Sequence, residues 1–511
     1  MAIKIILLVV FFTVMVGVGI YSRQHTTSVD GFVLGGRSVG PWLTAFAYGT
    51  SYFSAVVFVG YAGQFGWKYG LASTWIGIGN AIIGSLLAWV ILGRRTRVMS
   101  QHLESKTMPD FFGSRYESKA LKITASAIAF IFLVPYTASV YNGLSRLFGM
   151  AFNIPYGVCV LVMALFTAVY VILGGYMATA INDFIQGIIM LFGIVAVIAA
   201  VLSGQGGFME AVRNLAELES DVEVTLGQPG AFTSFFGPDP INLLGVVILT
   251  SLGTWGLPQM IHKFYAIKDE KAINTGTIIS TLFAIVVSGG CYFLGGFARL
   301  FDSTEIYDAD TGAVIYDSIV PFMLSKLPDI LIGIVVVLVL SASMSTLSSL
   351  VMTSSSTLTL DFIKDNIVKN MNEKKQVITM QIFIVFFIVL SVVIALDPPT
   401  FIAQLMGISW GALAGAFLAP FLYGLYWKGV TKAAVWASFA CGVGITLSNM
   451  FLKYIASPIN AGAVAMIAGL IVVPIVSLIT PKMDKKKVDE IFSCYEEEVV
   501  ITKKHSLEAK K

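Results

Sequence analysis

The chain has 511 residues, of which 56% are hydrophobic and only 12% charged, and its mean hydropathy is +0.82. That composition excludes a water-soluble globular protein of this length and predicts a polytopic membrane protein. The formal net charge of +3 says little, because the placement of the charges carries the information.

Apolar runs of about 20 residues mark spans. Thirteen are expected, near 2–21, 41–62, 71–93, 120–149, 155–175, 181–202, 240–261, 272–299, 327–358, 376–396, 400–425, 431–452 and 460–479. The first has a lone Lys4 and no clear small-residue cleavage site, so it is kept as a span and not read as a signal peptide. Of the 33 Lys and Arg, 26 fall at one set of loops and span ends, among them Arg23, Arg37, Arg94, Arg95, Arg97, Lys263, Lys369 and the tail from Lys482. The other side holds seven (Lys4, Lys68, Arg146, Arg213, Arg299, Lys326, Lys453) and an acidic loop with Glu210, Glu217, Glu219, Asp221 and Glu223. This bias places the N-terminus outside and the C-terminus in the cytoplasm. A transmembrane domain is expected over 1–480 and a charged cytoplasmic tail over 481–511.

No HExxH, P-loop or nucleotide-binding glycine fingerprint is present, and GGRSVG at 35–40 reads as a turn. Cys159, Cys291, Cys441 and Cys494 lack paired metal spacing and read as packing residues.

The second span, WLTAFAYGTSYFSAVVFVGYAG, is interrupted by Gly49, Thr50 and Ser51. The seventh carries Gly253, Gly256 and Pro258. Such residues weaken helices, and unwound backbone in a membrane must lie beside protein or a wet cavity. The two breaks lie five spans apart. An odd offset reverses the direction of crossing, so each would begin one half of a five-plus-five inverted repeat, about 41–202 and 240–425. The fold class is therefore all-α, with extra N-terminal and C-terminal helices.

Asp183, in ILGGYMATAINDFIQGIIM, is a carboxylate near the membrane interior and so a functional candidate. The alternative is a solvated acid at a helix N-terminus. In the ninth span, 12 of the 19 residues from Ser341 to Thr359 are Ser or Thr. An oxygen-rich, charge-poor stripe suits a small hard cation shedding its water. Equally, such hydroxyls bond carbonyls of their own helix or let helices pack closely.

GGYMATAINDFIQG resembles the GGxxAxxxxDxxQG segment of the sodium:solute symporters, a family that includes bacterial proline, sialic acid, pantothenate and sugar carriers. MSTLSSLVMTSSS resembles that family's ninth-span MSTLS motif, and YTASVYNGLSRLFG at 136–149 is similar to the fourth span of its proline-carrier branch. The resemblance covers nearly the whole chain. It implies a LeuT-like inverted repeat and a sodium site built from the carbonyls of Thr50, Phe53 and Ala342 with the hydroxyls of Ser345 and Thr346. In some members a second sodium uses the buried acid with nearby hydroxyls, which here are Asp183, Ser345, Ser348 and Ser349.

For the solute, the resemblance implies a cavity lined by Tyr52, Ser54, Tyr136, Thr250, Thr254, Trp255 and Gln259. Proline carriers have an Asp where this chain has Tyr52, and aromatic residues where it has Thr250 and Thr254. Sugar carriers have Gln where it has Val57. The lining suits a small neutral or zwitterionic solute, or a monocarboxylate. The implied protein is no enzyme but a plasma-membrane symporter that couples sodium to uptake of such a solute, with lipid as its surroundings and no nucleic-acid partner. Proton coupling through Asp183 and a transporter-fold sensor are the alternatives.

Overall fold

A computed structural model describes residues 2–22, 28–368 and 371–495. Arg23, Lys369 and the tail beyond Tyr495, all counted above, lie outside the described residues. Among the described residues, ten helices are long and apolar enough to cross a membrane, and the bent pair Pro240–Gly256 and Pro258–Ala266 makes eleven. Two of the ten each contain parts of two expected crossings. Tyr156–Gly204 is interrupted at Gly175 (φ 56°, ψ −157°), between the fifth and sixth spans. Val56–His102 is interrupted at Gly70 (φ 59°, ψ −141°), between the second and third. Both glycines adopt backbone angles essentially closed to other residues. At Gly70 a Cβ would also lie 2.2 Å from the Phe232 carbonyl oxygen. Divided there, the described helices fall into thirteen segments that correspond to the thirteen expected spans.

Local sequence sets the helix ends. Proline opens Pro41–Tyr52, Pro240–Leu252, Pro258–Ala266 and Pro458–Ile479, where a missing N–H costs nothing. Asp269, Asn372 and Thr431 cap the eighth, tenth and twelfth spans by accepting backbone N–H groups.

The second span does break, but two to four residues later than its Gly-Thr-Ser cluster suggests. Pro41–Tyr52 is regular through Gly49, Thr50 and Ser51, and the helix stops at Phe53, whose backbone is extended (φ −109°, ψ 108°). A wide π-helical turn, Val56–Tyr61, then leads into Ala62–Tyr69. Glycine and small hydroxyl residues are tolerated inside this helix because each is packed: a Cβ on Gly49 would meet the Phe283 ring at 2.5 Å. In the seventh span the break falls where Pro258 predicts it. Gly253–Gly256 tightens to a 3₁₀ turn, Leu257 is extended, and the two halves bend by 46°. The segment before the second span and the one leaving the seventh are joined by backbone hydrogen bonds from Val39 to Ala266 (3.2 Å) and from Lys268 to Val39 (3.0 Å).

The first half of the second span packs on the sixth, eighth and ninth spans, and the eleventh on the fourth and thirteenth. Small residues allow this. A Cβ on Gly66 would fall 1.9 Å from the Gly295 carbonyl oxygen, and one on Gly295 would fall 2.2 Å from that of Ala62. Backbones meet directly there, as helices in lipid permit.

One expectation needs correction. Lys263 was counted among the loop cations that set orientation, yet it is 2% exposed and turned into the protein, so it is no evidence for that bias. The start of the charged tail carries a helix of its own. Lys485–Ser493 is a helix held by ion pairs Lys428–Asp489 and Lys487–Glu117, each 2.7 Å, with the Arg115 guanidinium over the Phe492 ring.

Candidate functional site: the junction of the second, seventh and ninth spans

In an unbroken helix the carbonyls of Thr50 and Ser51 would accept from N–H groups one turn ahead. Because this helix ends at Tyr52, both oxygens are released, and the ninth span supplies their partners. The Ser345 hydroxyl lies 3.0 Å from the Thr50 carbonyl and 3.0 Å from the Ala342 carbonyl of its own helix, with its one proton shared between them. The Thr346 hydroxyl lies 3.3 Å from the carbonyls of both Thr50 and Ser51, and 3.1 Å from Ala342. The Thr50 hydroxyl turns back to Phe46, so it is the backbone of Thr50 that faces the ninth span. Four of the five oxygens named for the sodium site therefore converge, all uncharged and all buried. Phe53 stands at the break and, with Ala342, lines a cavity of about 10 Å³.

Of the twelve hydroxyls in the stripe, those of Ser341, Ser354, Thr357 and Thr359 are buried without a hydrogen-bond partner among the described residues, and four others behave simply. Ser343, Ser348, Ser355 and Ser356 bond carbonyls three or four residues back in their own helix. The hydroxyls of Ser345, Thr346 and Ser349 reach across to other spans. The Ser349 hydroxyl is 2.7 Å from that of Ser51 and accepts from the Lys263 ammonium at 2.9 Å. The same ammonium stands 3.7 Å from the Asp183 carboxylate and 5.3 Å from the centre of the Tyr176 ring. Of the second set, then, Asp183 and Ser349 are drawn together around Lys263, Ser345 serves the first site, and Ser348 is turned inward on its helix.

The solute candidates are all buried but differ in what they have left to offer. Ser54 accepts from the Val56 N–H, capping the helix that restarts after the break. Thr250 bonds the Val246 carbonyl at 2.9 Å, Thr254 that of Gly84 at 3.2 Å, and the Trp255 indole that of Ile83 at 2.9 Å. Tyr52 donates to the Thr250 carbonyl, tying one broken span to the other. The Tyr136 hydroxyl and both amide atoms of Gln259 are buried without a hydrogen-bond partner among the described residues. Trp410, not anticipated from sequence, lies between Tyr52 (ring centres 6.1 Å apart) and Tyr136 (5.8 Å). Its indole nitrogen is likewise buried and unpartnered among the described residues. A lone tryptophan among the small residues of ISWGALAG is the signal that could have marked it.

Above this centre, on the face with the acidic loop, opens a vestibule of about 530 Å³ whose lining includes Lys68, Tyr69, Asp221, Asp239, Arg299 and Gln404.

Two broken spans facing each other, with freed carbonyls bonded by a third, define a membrane carrier of the inverted-repeat class. The chain belongs to the sodium:solute symporter family, whose profile matches residues 32–442. It is 29% identical over 499 residues to the sodium/proline symporter of Staphylococcus aureus (strain JH9), covering 94% of this chain and 93% of that one. Among solved structures it is similar to a Na⁺-coupled sialic acid symporter in a substrate-bound outward-open state (TM-score 0.77, 15% identity, 94% of this chain and 98% of that one). It is also similar to a nucleobase-cation-symport-1 family transporter in a closed conformation (TM-score 0.52, 13% identity, 90% and 98%). These two likenesses establish the shared fold.

Proposed function

We propose that this protein is a sodium-coupled symporter, importing a small neutral or zwitterionic organic solute, or a monocarboxylate, by alternating access. The observation that carries the reading is the meeting of the Ser345 and Thr346 hydroxyls with the Thr50 carbonyl at the break in the second span. Carbonyl and hydroxyl oxygens, with no carboxylate among them, suit a monovalent hard cation better than a divalent one. With the Phe53 carbonyl they make the five-oxygen set that the family resemblance implies. The orientation that fits uptake has the N-terminus outside, so that the vestibule faces the medium and the basic face the cytoplasm.

The cycle follows from differential affinity. An ion held between the second and ninth spans favours the arrangement in which both sides of its cage are in place. Solute and ion then stabilise the same arrangement and so reinforce each other's binding, a reciprocity that thermodynamics requires. Tyr136, Gln259 and Trp410 are the groups with hydrogen-bonding capacity left for a solute. Proline itself is disfavoured: Tyr52, Thr250 and Thr254 stand where proline carriers have an Asp and two aromatics.

The test is uptake into proteoliposomes of solutes first selected by sodium-dependent thermal stabilisation, since a ligand of the folded state raises apparent stability. Accumulation driven by an inward sodium gradient is expected. Accumulation driven by a pH gradient with sodium absent would replace this reading with proton coupling.

A further inference from the structure

The second set of oxygens has a cation already in its midst. Lys263 lies on the inner half of the broken seventh span, and its ammonium reaches between Asp183 of the sixth span and Ser349 of the ninth. All three residues are buried, with the side chains of Lys263 and Asp183 3% and 1% exposed. Asp183 accepts no hydrogen bond among the described residues, so the ammonium is the positive charge this carboxylate faces there. A buried carboxylate without a counter-charge is strongly unfavourable, whether that charge arrives as an ion or is built in. Here it is built in. The ammonium already stands between the Asp183 carboxylate and the Ser349 hydroxyl, where a second sodium would have to sit. The residues present do not fit a second sodium.

We propose that the Lys263 ammonium is a tethered cation that takes the place of a second sodium between Asp183 and Ser349, so that each chain binds a single free sodium. The inference rests on the sodium reading of the first site. The tether also connects the two positions, because Ser349 is bonded to Ser51, whose carbonyl accepts from Thr346. Lys263 thereby holds the inner half of the seventh span to the sixth and ninth without an exchangeable ion. A free ion at this place would be released on each turnover, whereas the lysine stays.

The experiment counts ions directly, using ²²Na⁺ and the purified full chain, with no solute present. Wild type is expected to bind one sodium per chain, and stability to rise with the logarithm of sodium concentration at a slope of one ion. Lys263→Ala leaves Asp183 uncompensated beside a space the size of an ammonium, and is expected to bind two. Adding Asp183→Asn to it should remove the gained ion. Two ions bound by wild type would overturn the tether outright, whatever becomes of the variants. One ion in both wild type and a folded Lys263→Ala would also overturn it. No sodium bound by wild type would instead defeat the sodium reading on which the tether rests.

Discussion

The Ser345 hydroxyl stands 3.0 Å from the Thr50 carbonyl oxygen, joining the ninth span to the last turn of a helix that stops two residues later. Removing it leaves a buried carbonyl short of a partner and the proposed cation cage short of an oxygen. Each loss is worth about 1–3 kcal/mol. Ser345→Ala and Thr346→Ala are each expected to raise the sodium concentration for half-maximal stabilisation by about tenfold or more, an effect of that size in free energy. A sodium titration of melting temperature checks this, and unchanged midpoints in both variants would reject the site.

Tyr52 fastens the second span to the seventh through the Thr250 carbonyl. Tyr52→Phe keeps the ring stacked on Phe53 and near Trp410 but drops the bond, at a cost of about 1–3 kcal/mol for the stranded carbonyl. A lower melting temperature is expected, together with weaker solute-induced stabilisation. Melting curves with and without solute separate the two effects.

Gly66 has no room for a methyl group, since a Cβ would sit 1.9 Å from the Gly295 carbonyl oxygen. That oxygen belongs to backbone and cannot swing aside. Gly66→Ala should therefore destabilise the protein by at least the 1–3 kcal/mol typical of overpacking, by prising the second span from the eighth. Gly289→Ala, with nothing within 4 Å of its Cβ, is the matched control and should cost little. Denaturation of the two variants side by side gives the comparison.

Asp317 lies outside the spans, on the helix Tyr316–Ser325, and accepts the Ile402 N–H at 3.2–3.3 Å. Burial pushes its carboxyl up to about 6, while the Ile402 N–H and Arg146 pull it down. A raised value means that the folded state holds its proton more tightly than the unfolded chain does. The contribution is fully present below about pH 4 and is lost as pH rises through 6, amounting to roughly 3 kcal/mol. Asp317→Asn keeps an acceptor for Ile402 and is expected to flatten the stability curve between those values. Thermal stability measured from pH 4 to 8 tests the sign.

The broad architecture could be read from sequence because lipid leaves the backbone few choices: long apolar runs become helices, and Pro258 marks a break wherever it falls in a span. The oxygens proposed for the ion came from the family resemblance, and those of positions 342, 345 and 346 can act together because they share one helical face. What escaped depended on direction across the fold. Lys263 stands just past the end of its apolar run in sequence, and in the fold it lies on the half-helix that follows the 46° bend. The break in the second span was placed early because Gly49 looks weak in isolation, whereas the Phe283 ring packed against it supports the helix there. Trp410 had no motif, and it matters only because Tyr52 and Tyr136 close on it from other spans.

The single-glycine passages at Gly70 and Gly175 carry a practical consequence. Both residues are buried, Gly70 beneath Phe232 and Gly175 within the buried stretch from Gly174 to Ala180. Neither glycine offers a protruding side chain for a protease or an antibody to grip. Epitope tags that report on topology therefore belong in the long connections near 203–239 and 300–326 instead.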